Sequence, residues 1–148
     1  MTKSHSIAIT KAKIEDEDFL FDLRKQTMVA HLERSGIFLS DEEHRLRVAK
    51  NYTDAFIIWY SQERVGLLKY IENEKAIEVL QIQVLPDYQG NGIGKQLLEQ
   101  FIEQQKVIRL KVLKENPAKN LYQRMGFLTV NEDDYEYHME LVPKNKNV

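Results

Sequence analysis

A chain of 148 residues suits one domain with a substantial core, and its 43% hydrophobic and 30% charged residues exclude a disordered or membrane-embedded protein. The formal net charge of -2 excludes the basic footprint with which proteins hold nucleic-acid phosphates. Cysteine is absent, which excludes disulfides, thiolate metal sites and a cysteine nucleophile.

In chain order, Ile7 and Ile9 share one face of an extended segment, so residues 6–12 read as a first strand. From Glu15 the pattern turns helical. Phe19, Leu20, Leu23, Thr27, Ala30 and His31 recur at mostly three- and four-residue intervals, and Gly36 lies beyond the expected end. Glu15, Asp16, Glu17 and Asp18 crowd the first turn, where the helix dipole favours negative charge. Ser40 followed by Glu43 has the spacing of a capping box and predicts a second helix to about Lys50.

Three β-rich runs follow, at residues 55–60, 65–71 and 76–85, separated by polar turns at 61–64 and 72–75. Such short connections predict antiparallel hairpins. Pro86 ends the third run because it has no N–H to donate. A glycine-rich turn leads into a helix from about Ile93 to Gln105, with Leu97, Leu98, Phe101 and Ile102 on its buried side. A strand at 107–113 comes next, then a short helix opened by Asn116-Pro117 and closed by Gly126. Two last strands, at 127–130 and 135–142, flank a turn at 131–134, and residues 143–148 read as a frayed tail. The order β-α-α-β-β-β-α-β-α-β-β is that of a mixed α/β single domain over residues 1–148.

The turn carries the chemistry. Glycines at 90, 92 and 94 let backbone N–H groups face one point at a helix start, where four donors lack partners and the dipole is positive. Such a turn can hold phosphate oxygens, and Lys95 adds a cation. A P-loop spacing is not met, and Gln96 stands where a magnesium-binding hydroxyl would be. The Rossmann pattern fails as well, because the glycines run G-x-G-x-G behind an antiparallel hairpin. On spacing alone, an ordinary helix-starting turn remains open.

The flanks narrow the choice. Val84-Leu85-Pro86-Asp87-Tyr88-Gln89-Gly90-Asn91-Gly92-Ile93-Gly94-Lys95 resembles motif A of the GNAT superfamily of N-acetyltransferases, V-x-P-x-[YF]-[RQ]-G-x-G-[IV]-[GA]. Asn116-Pro117-Ala118-Lys119-Asn120-Leu121-Tyr122-Gln123-Arg124-Met125-Gly126-Phe127 is similar to the family's motif B, N-x-x-A-x-x-[LF]-Y-x-x-x-G-F, one residue tighter between Asn and Ala. Both motifs lie in the second half of the chain. The resemblance implies a GNAT-type fold, a central mostly antiparallel mixed sheet flanked by helices.

It further implies acetyl-coenzyme A as co-substrate. Gln89, Gly90, Asn91, Gly92, Ile93, Gly94 and Lys95 would hold the pyrophosphate, while Ile82, Val84 and Leu85 would contact the pantetheine arm. Two parallel strands ending near Leu85 and Leu113 would splay to expose backbone groups for that arm. Asn116 would hydrogen-bond the arm, and Tyr122 would protonate the leaving thiolate. For the acceptor's base the candidates are Glu78, on the same strand, and His31, whose residue type titrates near neutrality. Water relayed by backbone carbonyls and deprotonation in solution stay open, since Gln81 and Gln83 stand where relatives often carry an acid. Trp59, Tyr60, Tyr70 and His138 could line the acceptor groove.

The expected reaction is direct transfer to a primary amine in a ternary complex, with a backbone N–H near Val84 stabilising the oxyanion. The acceptor would be a small-molecule amine or a protein or peptide amine. A non-catalytic acyl-coenzyme A sensor is the alternative, and a nucleotide hydrolase lacks its residues. His5, His44 and the acidic pairs have no metal-ligand spacing, so no metal is expected. With no apolar window near ~20 residues, no polybasic anchor and no signal-peptide run, the expectation is a cytoplasmic protein without membrane or nucleic-acid partners. A homodimer could pair through the C-terminal strand at 135–142.

Overall fold

The structure, a computed structural model, describes residues 6–144. His5 and the last four residues of the expected tail lie outside the described residues. Seven strands, β1 (Ile7–Lys11), β2 (Ala55–Tyr60), β3 (Glu63–Glu72), β4 (Ala76–Val84), β5 (Val107–Leu113), β6 (Leu128–Glu132) and β7 (Glu136–Leu141), form one sheet. Their spatial order is β1-β2-β3-β4-β5-β7-β6. Every neighbouring pair is antiparallel except β4–β5. Among the described residues are five α-helices, α1 (Glu17–Thr27), α2 (Val29–Arg34), α3 (Asp41–Ala49), α4 (Ile93–Glu103) and α5 (Ala118–Arg124), and three short 3-10 turns.

Local chemistry accounts for the boundaries. The Ser40 hydroxyl accepts the Glu43 N–H while the Glu43 carboxylate accepts the Ser40 N–H, so both halves of the capping box start α3. Ser61 and Gln62 take φ of 50° and 72°, the double left-handed bend that suits a two-residue hairpin turn. The turn is therefore shorter than its polar sequence suggests, and Glu63 and Arg64 belong to β3.

Both faces of the sheet are covered. Ile58, Val65, Leu68, Ile77, Val79, Ile108, Leu110 and Val112 form one core with Leu97, Leu98 and Phe101 of α4 and Tyr122 of α5. On the other face Leu20, Leu23 and Val48 of α1 and α3 pack on Ala55, Ile57 and Leu67.

Two expectations are corrected. The long first helix is broken: α1 ends at Thr27, and Met28, with φ -112°, separates it from α2. The Thr27 hydroxyl donates to the Leu23 carbonyl at 2.8 Å, a back-bond that bends helices. The C-terminal strand is not an edge either. β7 lies between β5 and β6, so both its ladder sides are taken and it cannot pair with a second chain. Burial explains the order, because β7 brings Met139 into the core while all five residues of β6 are exposed. β6 is the edge strand at this end of the sheet, as β1 is at the other.

The sheet opens at its centre. The β4–β5 ladder runs only from Ala76–Val107 to Val79–Leu110. On its other side β4 carries a bulge, since Tyr70 faces Val79 and Lys69 faces Gln81, leaving Leu80 without a rung. Beyond it, β4 and β5 run on without pairing to each other.

Candidate active site

The glycine turn is braced from beneath by its own polar residues. The Leu85 N–H donates to the Val65 carbonyl at 2.8 Å and holds the end of β4 on β3. Backbone groups alternate along a strand, so the N–H and C=O of Val84 face the side where β5 has departed. The Val84 carbonyl accepts the Gln89 Nε2–H at 2.9 Å, and its N–H remains a donor toward the gap. The Gln89 N–H donates to the Pro86 carbonyl at 3.2 Å, and the Asn91 Nδ2–H to the Tyr88 carbonyl at 2.9 Å. Gly90 and Gly92 hold φ of 85° and 74°, while a Cβ at either would meet nothing within 4 Å. Glycine is required there for the backbone bend, and the space above is open. α4 then starts at Ile93, and the N–H groups of its first turn have no intrahelical acceptors.

These donors face a cavity of about 500 Å³, a size suited to a cofactor. Ile82, Gln83 and Val84 of β4 form one wall, and the turn forms another. Asn116, Pro117, Ala118, Leu121, Tyr122 and Arg124 form a third, and Thr27, Met28 and His31 close it from the α1–α2 side. Lys95 and Arg124 place two cations on its lining. Tyr122 is 6% exposed and its ring lies 5.8 Å from that of Phe127. Burial pushes its pKa up to about 12, so the phenol keeps its proton at neutral pH. Among the described residues its hydroxyl has no hydrogen-bond partner, which leaves it free to donate into the cavity.

The sequence profile of the acetyltransferase (GNAT) domain matches residues 50–128, just over half of the chain. The chain belongs to the GNAT acetyltransferase family. It is 36% identical over 86 residues to the ribosomal protein bS18-alanine N-acetyltransferase of Haemophilus influenzae. That match covers 47% of this chain and 59% of the relative, so it spans less than two thirds of the relative's length. Among solved structures, an acetyltransferase from Thermus thermophilus superposes with a TM-score of 0.72 at 20% identity, covering 92% of this chain and 96% of that one. The PaiA N-acetyltransferase of Thermoplasma acidophilum, solved in complex with coenzyme A, gives 0.67 at 23% identity, covering 91% and 98%. At such identities the superpositions establish the GNAT fold.

Within this GNAT fold the expected site residues fall into separate places. Ile82, Val84, Gln89, Gly90, Gly92, Ile93, Gly94, Lys95, Asn116 and Tyr122 line the cavity together, and His31 joins them. Leu85 and Asn91 do not line it: Leu85 packs on the core beneath α1 and α3, and the Asn91 side chain braces the turn. Asn116 accepts the Ala118 N–H at 2.9 Å through Oδ1, which fixes the side chain and leaves its amide N–H groups as the donors for a ligand. His31 accepts from the Arg34 guanidinium through Nδ1 at 2.5 Å. Burial, then the Arg34 charge, lowers its pKa. Its lone-pair nitrogen is thereby occupied, which counts against a role as base.

Glu78 lies elsewhere. It lines a second, smaller trough of about 380 Å³ with Leu80, Arg109, Lys111, Asn131 and His138. Ile108, Leu110 and Val112 point into the α4 core, so Arg109 and Lys111 face the opposite side of the sheet, and the trough is on that side. Glu78 and Tyr122 are thus not brought into one cavity. Tyr70 stacks on Phe56 and packs at a tilt against Phe101, and Trp59 donates to the Thr10 hydroxyl. Tyr60 packs edge-on against Tyr88. Among the described residues no group of three or more His, Cys, Asp or Glu is placed to hold a metal, and no helix is long and apolar enough to cross a membrane.

Thr27, Met28, Tyr88, Leu121 and Arg124 are cavity residues that sequence reasoning missed. Leu121 and Arg124 are three apart on the helix that carries Tyr122, so helical spacing was an available signal. Nothing in the sequence foretold that α1 would break and bring Thr27 and Met28 over the cavity.

Proposed function

We propose that this protein transfers the acetyl group of acetyl-coenzyme A to a primary amine, directly, in a ternary complex. The observation that carries this reading is the meeting, in one cavity, of the unpaired α4 N–H groups, the β4 edge freed by the splay and the Tyr122 hydroxyl. The pyrophosphate would sit on the N–H groups of Gly90 to Lys95, assisted by Lys95 and Arg124. The pantetheine arm would run along Ile82 and Val84 in place of the missing strand partner, with Asn116 donating to it. As the amine attacks the thioester carbonyl, the Val84 N–H supports the oxyanion and Tyr122 gives the departing sulfur its proton. No cysteine is available for an acyl-enzyme, which favours direct attack.

The acceptor class includes peptide N-termini, by analogy with the alanine N-acetyltransferase relative, and small polyamines. In this reading the enzyme works in the cytoplasm, and a homodimer would join through β6, an open edge of the sheet. Calorimetry with acetyl-coenzyme A, followed by thiol release with spermidine and with an alanine-terminated peptide, tests it. Binding together with amine-dependent release is expected. Binding without release from any amine would instead establish an acyl-coenzyme A sensor, and no binding would overturn both readings.

A further inference from the structure

Direct transfer needs a group that removes a proton from the attacking amine, and His31 and Glu78 are poorly placed for it. The Nδ1 of His31 already takes the Arg34 guanidinium. Glu78 sits on a rung within the closed part of the β4–β5 ladder, opposite Arg109.

His138 of β7 is placed differently. The last β4–β5 rung joins Val79 to Leu110, and the next residue of β5, Lys111, is in register with His138. Leu80, the rungless bulge residue of β4, lines the same trough as Lys111 and His138. His138 is therefore level with the mouth of the splay, on the sheet face away from α4. Its ring is held: Nε2 lies 2.9 Å from Asp133 Oδ2. The other Asp133 oxygen accepts the N–H groups of Tyr135 at 2.8 Å and Glu136 at 2.7 Å, so the β6–β7 turn fixes the carboxylate that fixes the ring. With the Nε2 hydrogen donated to Asp133, Nδ1 carries the lone pair. The His138 side chain is 25% exposed, reachable from the trough but not loose in solvent. The charged groups facing it are Glu78 from β4, Arg109 and Lys111 from β5, and Glu136 and Glu140 from β7, with Arg109 Nε bonded to Glu140 at 2.8 Å.

We propose that His138, oriented by Asp133, is the base that takes the proton of an acceptor amine entering through this trough. The inference rests on the acetyl-transfer reading above. The amine nitrogen forms its bond to the acetyl carbon as the carbon–sulfur bond breaks. The amine proton passes to His138 Nδ1 and then to solvent, while Tyr122 supplies the proton for the thiolate. A hydrogen-bonded carboxylate behind an imidazole holds the tautomer that such a step requires.

The test compares wild type, His138→Gln, His138→Gly and Asp133→Asn, with acetyl-coenzyme A and either spermidine or an alanine-terminated peptide. His138→Gln should lower kcat by about 100-fold or more while acetyl-coenzyme A still binds with wild-type affinity. The acid limb of the wild-type kcat/KM profile should vanish with it, and added imidazole should restore part of the His138→Gly rate. Asp133→Asn, which keeps the imidazole, should lose less. An active wild type whose His138→Gln variant keeps its rate and pH profile would overturn the assignment and leave acetyl transfer intact. A wild type that binds the cofactor but releases no thiol with either amine would overturn both.

Discussion

Gly66 of β3 stands so close to Gln83 of β4 that a Cβ on it would lie 2.2 Å from the Gln83 carbonyl oxygen. A second wall is formed by the Ile58 Cδ1, 3.2 Å from the same position. No side chain tolerates that distance to a backbone atom, so glycine is what lets the end of β4 lie on β3 where Gln83 and Val84 border the cavity. Gly66→Ala must push the strands apart. The expected cost is about 1–3 kcal/mol of stability from overpacking, read in urea denaturation. Because Val84 moves with the strand, the affinity for acetyl-coenzyme A should fall as well, whereas Gly90→Ala should act mainly through backbone strain at φ 85°.

Tyr122 separates binding from chemistry. Its hydroxyl has no hydrogen-bond partner among the described residues, so Tyr122→Phe removes no bond that the fold uses. The melting temperature and the calorimetric affinity for acetyl-coenzyme A should both stay close to wild type. Loss of a general acid typically costs about 10²–10⁴-fold, and kcat for thiol release should drop by that range. Equal kcat in the two proteins would remove Tyr122 from the chemistry.

Lys69 is 2% exposed on β3, and its ammonium donates to the carbonyls of Arg47 at 3.2 Å, Val48 at 2.9 Å and Lys50 at 2.6 Å. It closes the C-terminus of α3, where orphan carbonyls and the negative dipole end favour a cation. Burial, then the charges of Arg24 and Lys50, bring its pKa down to about 8, so it is still mostly charged at neutral pH. Lys69→Met would leave those carbonyls without a donor, at an expected cost of about 1–3 kcal/mol. Hydrogen exchange should show the Lys50 amide, which bonds the Leu46 carbonyl, losing protection first.

Asp133 gives the β6–β7 turn a defined acid sensitivity. The His138 hydrogen bond, and then the N–H groups of Tyr135 and Glu136, lower its pKa from the ordinary 3.8 to about 2. The folded carboxylate holds its charge more readily than the unfolded one, so its contribution to stability is fully present above about pH 4. It is lost as the pH falls toward 2. Amide exchange at Tyr135 and Glu136 should accelerate across that window in wild type. In Asp133→Asn the same amides should be less protected at every pH and lose the acid-dependent step.

Most of the fold was readable because it is written in local patterns. Apolar runs marked β2 and β5 to the residue, the Ser40–Glu43 spacing marked the start of α3, and Pro86 marked the end of β4. The glycine turn and Tyr122 were readable for another reason: backbone donors at a helix start and a motif-borne phenol depend on residues close in sequence. What failed to show depends on contacts far apart in the chain. A lysine in a strand looks solvated until α3 turns three carbonyls toward it. Glu78 looks like a neighbour of the splay until strand pairing places it on a closed rung opposite Arg109. The strand at 135–142 looks like a terminal edge until Met139 draws it in beside β5.

By itself, then, the sequence determined the order of the strands and of most helices, the glycine turn with its helix and the phenol downstream of it, because each is a property of a few consecutive residues. Only the tertiary structure decided that β4 and β5 part company after Val79 and Leu110. It alone decided that His31 is tied to Arg34, and that His138 and Asp133 come together at the level of the gap. Those outcomes follow from strand pairing and burial, which choose among partners that no local pattern names.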